Sequence, residues 1–101
     1  MEDYKQKLKL MVADVFEVDQ DFYQRGRERK RAEMYAKKAF LSLLKKYMLH
    51  TFMDVARYVG CTEHSGTLYH INDVEFMLKY DDNFTFKYRA VEKELLKMME
   101  Q

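Results

Sequence analysis

Residues 51–80 read TFMDVARYVGCTEHSGTLYHINDVEFMLKY, and this stretch decides the fold. Thr51 is a candidate N-cap for a short helix carrying Phe52, Val55, Ala56 and Tyr58. Gly60 stands where helices commonly end. Thr62 can cap the next helix, in which Leu68, Ile71, Val74, Met77 and Leu78 recur at helical spacing. Short helix, glycine turn, longer helix is the arrangement of a helix-turn-helix, here over about 51–80. Val55 and Leu68 are expected to lock the pair from inside. Many helical bundles have such corners, so the pattern alone does not define a DNA-binding domain.

Helical periodicity continues on both sides. Residues 3–16 put Tyr4, Leu8, Met11, Val12, Val15 and Phe16 on one side of a helix. Asp19 is a fair cap for a short helix holding Phe22 and Tyr23, and Gly26 then breaks the pattern. A long helix is expected from about 28 to 47, with Ala32, Ala36, Ala39, Phe40, Leu43 and Tyr47 as its main stripe. Leu41, Leu44 and Met48 widen that stripe, which points to a central helix packed on more than one side. Lys37, Lys38, Lys45 and Lys46 read as its solvent face. Asp81, Asp82 and Asn83 end the helix before them and cap a last one carrying Phe84, Tyr88, Val91, Leu95 and Met98. The expectation is an all-α, compact bundle of about six helices, one domain over 1–101.

Composition agrees. The 101 residues include no Pro and only 3 Gly, too few breakers for the tight turns of a sheet-rich fold. Neither Asn-Gly nor Asp-Gly occurs. A single Cys excludes an internal disulfide framework and fits a reducing, cytoplasmic compartment. No apolar run approaches the roughly 20 residues of a membrane span, and no signal-peptide core opens the chain. With 48% hydrophobic and 35% charged residues, the chain reads as globular. The net charge of +1 conceals an asymmetry: −3 over residues 1–24, +7 over 25–46 and −3 over 47–101. A polyanion would bind the middle block.

The segment from Gly60 to His70 resembles the signature of the C-terminal DNA-binding domain of the bacterial replication initiator DnaA, which reads Gly-Gly-Arg-Asp-His-Thr-Thr-Val-Leu-His-Ala. The shared features are Gly60, an acid at Glu63, His64, a hydroxyl at Ser65, and Leu68. Upstream, residues 51–59 are similar to the family's Ser-Leu-Pro-Glu-Ile-Gly stretch, and the basic run Arg25 to Arg31 resembles the entry to its long helix. Residues 12–16 and 21–22 are similar to its preceding helices, so the similarity covers about residues 8–80. The resemblance implies a Trp-repressor-like helical bundle. It implies that the helix starting near Glu63 enters the major groove and that Arg29 reaches the minor groove. It also implies backbone contacts around Thr51, Phe52 and Met53. The chain departs from the pattern at Cys61, Thr62, Gly66 and Tyr69, losing a cation and a hydroxyl. It has no Gly-rich phosphate loop, so the initiator's ATPase part is absent and no nucleotide is expected.

Physical chemistry gives these residues roles of their own. Glu63 can accept from a cytosine amino group, and His64 and Ser65 can donate to base edges or phosphates. The plainer alternative is that Glu63 favours the helix dipole and Ser65 caps. Tyr69, one turn beyond Ser65, can reach a phosphate or a thymine methyl, or cover the core edge. Arg25, Arg27, Arg29, Lys30 and Arg31 suit phosphates and narrow minor grooves, with Thr62 as a further backbone contact. Cys61, His64, His70 and His50 lack zinc spacing, and a Cys61–His64 nucleophile has no support either. The expected function is therefore not enzymatic and needs no cofactor or metal. It is double-stranded DNA binding in replication or transcription, on a phage or other mobile element. The alternative is a helical adaptor that kept the fold and binds a protein partner or a second copy. A membrane surface is not favoured, because the first helix has a net negative flank.

Overall fold

The computed structural model describes residues 2–22, 31–49, 51–59 and 64–100. Among these there are five helices and no strand: α1 (Glu2–Phe16), α2 (Arg31–Tyr47), α3 (Phe52–Tyr58), α4 (His64–Tyr80) and α5 (Asp82–Met99). Of the sixth expected helix, after Asp19, residues 20–22 form a turn and the remainder lies outside the described residues. Phe22 N–H donates to Asp19 C=O at 3.1 Å, and the turn drops the Phe22 ring, fully buried, against Phe40 edge to face. Tyr23 lies outside the described residues, as does Gly26.

The helix ends follow from local chemistry. Thr51 caps α3, its hydroxyl oxygen accepting from Asp54 N–H at 3.0 Å. Asp81 caps α5 by accepting from Phe84 N–H at 2.9 Å, and it is the one residue between α4 and α5. The end of α1 is closed without glycine. Val18 N–H donates to Ala13 C=O and Glu17 N–H to Asp14 C=O, with Glu17 left-handed at φ 58°.

The five helices share one core, and α2 is its axis. It packs against α1, α3, α4 and α5. Ala36, Ala39, Phe40, Leu41, Leu43 and Leu44 are all fully buried, so apolar side chains leave it in nearly every direction. Two expectations for α2 are corrected. Ala32 is exposed, because it lies in the first turn beyond the cover of its neighbours. Lys37 and Lys38 are buried at 5% exposure each, because α2 has no free side at that height. Lys38 is tolerated there through its ion pair with Asp73 of α4. A second group of rings, Phe16, Tyr35, Phe84 and Tyr88, ties α1 and α2 to the start of α5. No helix among the described residues is long and apolar enough to cross a membrane.

Candidate nucleic-acid interface

The corner made by α2, α3 and α4 is the structural unit on which the sequence expectation rests. Val55 and Ala56 turn inward from α3 and are buried. Near the start of α4 Thr67 is buried, at 2% exposure, while Leu68 is half-buried. Val55 is buried as expected, whereas Leu68, expected to be buried with it, is not. Burial of Thr67 carries a polar cost: its Oγ1 has no hydrogen-bond partner.

The expected site residues divide by where they fall. Arg25, Arg27, Arg29, Lys30, Gly60, Cys61, Thr62 and Glu63 lie outside the described residues. His64 opens α4 with Ser65 beside it, and only their backbone is described. At the start of α3, Thr51 is exposed, Phe52 half-buried and Met53 exposed. Lys45 from α2 reaches this turn, its Nζ 4.7 Å from the Phe52 ring centroid, so a cation stands beside the α3 N-terminus. Gly66 is exposed and faces open space. Tyr69 is 63% exposed, with Lys38 Nζ 5.3 Å from its ring centroid. Arg31 is exposed at the first position of α2.

Ion pairs thin the positive block. Lys38 is committed to Asp73 and Lys46 to Glu92, the latter at 2.7 Å. Glu92 also accepts from Tyr47 at 2.6 Å and from Arg89 at 2.7 Å. Burial by itself raises a carboxyl pKa, but the bonds from Lys46, Tyr47 and Arg89 outweigh it and hold Glu92 at about 2. The bond to Glu92 likewise holds the Lys46 ammonium above its ordinary range. Both lysines are thus paired with a carboxylate from another helix.

The structure also brings out a surface that the sequence reading did not single out. Tyr69, Phe76 and Tyr80 are 63%, 61% and 72% exposed on one face of α4, beside the stripe of Val74 and Met77 that faces the core. The Phe76 and Tyr80 rings lie 4.7 Å apart. The signal was present as a second apolar stripe, at i, i+7 and i+11, beside the one that faces the core. Among the described residues no group of His, Cys, Asp and Glu is placed to hold a metal ion.

No family model, no curated protein and no solved structure matches this chain.

Proposed function

We propose that the chain is a double-stranded DNA-binding domain that seats the first turns of α4 in the major groove. The observation that carries this reading is the α2–α3–α4 corner. A seven-residue α3, capped by Thr51, packs across a longer α4 whose early Gly66 and Tyr69 are open to solvent. In this reading Glu63, His64, Ser65 and Tyr69 contact base edges. Arg29 enters the minor groove, and Arg25, Arg27, Lys30, Arg31, Thr51, Phe52, Met53 and Thr62 hold the backbone. The resemblance to the DnaA C-terminal domain supports the same assignment and suggests a task in replication initiation or transcription.

The test is titration of duplex DNA at two salt concentrations. With about four phosphates engaged, log K falls against log salt with a slope of about −3 to −4. Arg29→Ala weakens binding on most sequences, whereas His64→Ala changes which sequence is preferred. Absence of binding at low salt, or binding with no salt slope, sinks the reading.

A second reading is favoured by one observation. The exposed Tyr69–Phe76–Tyr80 stripe is the kind of surface that marks a protein contact. A helical adaptor would use that stripe and show no duplex affinity.

A further inference from the structure

A cleft of about 170 Å³ opens between the end of α1, the head of α2 and the first turns of α5. Phe16, Tyr35 and Phe84 form its floor, with the Phe84 ring 6.0 Å from Phe16 and 5.8 Å from Tyr35. Arg31 and Lys87 stand on its walls with the Asn83 amide. The Lys87 ammonium is held 5.7 Å from the Phe16 ring centroid. No described residue lining the cleft carries a carboxylate. Lys38, Lys46, Arg57, Arg89 and Lys97 each face a carboxylate, whereas among the described residues neither Arg31 nor Lys87 does.

We infer that Lys87 and Arg31 together hold a phosphate at the mouth of this cleft, and that the phosphate belongs to the backbone of the bound duplex. This rests on the DNA-binding reading above and adds to it a contact from α5, 56 residues beyond the end of the basic run at Arg31. Two cations from different helices converge on a concave, partly apolar site, where attraction for an anion exceeds that at a flat, fully hydrated surface. Arg31 directly follows Arg25 to Lys30 in the chain, so one of the two cations belongs to the run proposed to hold the backbone. The ring floor gives the sugar an apolar seat and offers the phosphate no competing acceptor.

The experiment compares the wild-type protein, Lys87→Ala, Lys87→Arg and Lys93→Ala in duplex titrations across salt. Lys93 is an exposed lysine on another side of α5 and serves as the control. Circular dichroism melts establish that each variant is folded. Lys87→Ala is expected to bind about five- to tenfold more weakly at low salt, with a slope shallower by about 1. Lys87→Arg retains most of the affinity, and Lys93→Ala matches the wild type. Replacing chloride by inorganic phosphate at equal ionic strength leaves wild-type duplex affinity unchanged. If the wild type binds with a salt slope but Lys87→Ala binds equally well, the inference fails and the DNA-binding reading stands. If inorganic phosphate displaces the duplex at matched ionic strength, the cleft is a free-anion site and the backbone assignment is overturned. If the wild type binds no duplex at all, both fall.

Discussion

At the residue scale, Thr67 is the point where the α3–α4 corner is least satisfied. Its hydroxyl is buried with no partner, and a buried unpaired hydroxyl costs roughly 1–3 kcal/mol. Valine has the same branching at Cβ and a similar helix propensity, so it fills the site without the polar atom. Thr67→Val is expected to stabilise the protein by about 1 kcal/mol. That raises the thermal midpoint by about 4–8 °C for a domain of this size. Thermal unfolding followed by circular dichroism reads the change, and a lower midpoint would show that the hydroxyl is in fact bonded. The sequence reading put Leu68 in this place for a definite reason. The face assigned to a residue depends on the rotational phase of its helix, and each residue turns that phase by about 100°. Val74 and Met77 are buried as the periodicity expects, and Thr67 lies seven residues before Val74 on that same stripe, where its polar type hid it from the reading.

At the scale of elements, α2 is held by polar clamps as well as by its apolar core. Lys38 joins it to α4 through Asp73, and Lys46 and Tyr47 join it to α5 through Glu92. Burial of Lys37 and Lys38 was not legible in the sequence, because long lysine stems lie along apolar surface and the residue type alone reads as solvated. The caps were legible: Thr51 and Asp81 each accept the N–H three residues on, which is a local property of the chain. Which of the two apolar stripes of α4 is covered depends on where other helices lie, so the exposure of Phe76 and Tyr80 had no local signature. The Glu92 clamp makes acid sensitivity an element-level property. Its carboxyl, about 2 in the folded protein against an ordinary 4.5, binds a proton more readily in the unfolded chain. The stabilisation is therefore complete above about pH 4.5 and is lost as pH falls toward about 2. Its size is on the order of 3 kcal/mol. Glu92→Gln is expected to lower stability at neutral pH and to flatten its fall with acid. Urea midpoints across that pH window check this, and an unchanged acid slope in the variant would place the sensitivity elsewhere.

At the scale of the whole molecule, a formal charge of +1 combines two different populations of cations. Some are struts between helices. Lys46 bonds to Glu92 and Lys38 to Asp73, so each is neutralised by a carboxylate from outside the 25–46 block. Others, such as Arg31, meet no carboxylate among the described residues and are available to a polyanion. The +7 read from the sequence thus overstates the charge that a duplex meets, and counting Lys and Arg along the chain cannot tell the populations apart. Their separation yields a prediction that net charge does not. Lys46→Gln and Arg29→Ala each remove one positive charge from the same block. If phosphate contacts are localised, Lys46→Gln leaves the salt slope unchanged and duplex affinity within about twofold, while costing stability through Glu92. Arg29→Ala makes the slope shallower by about 1 and weakens binding. Parallel duplex titrations and urea unfolding of the two variants separate these effects. Equal changes in slope would mean that the block acts as a diffuse positive field, in which the pairing of Lys46 with Glu92 makes no difference to the duplex.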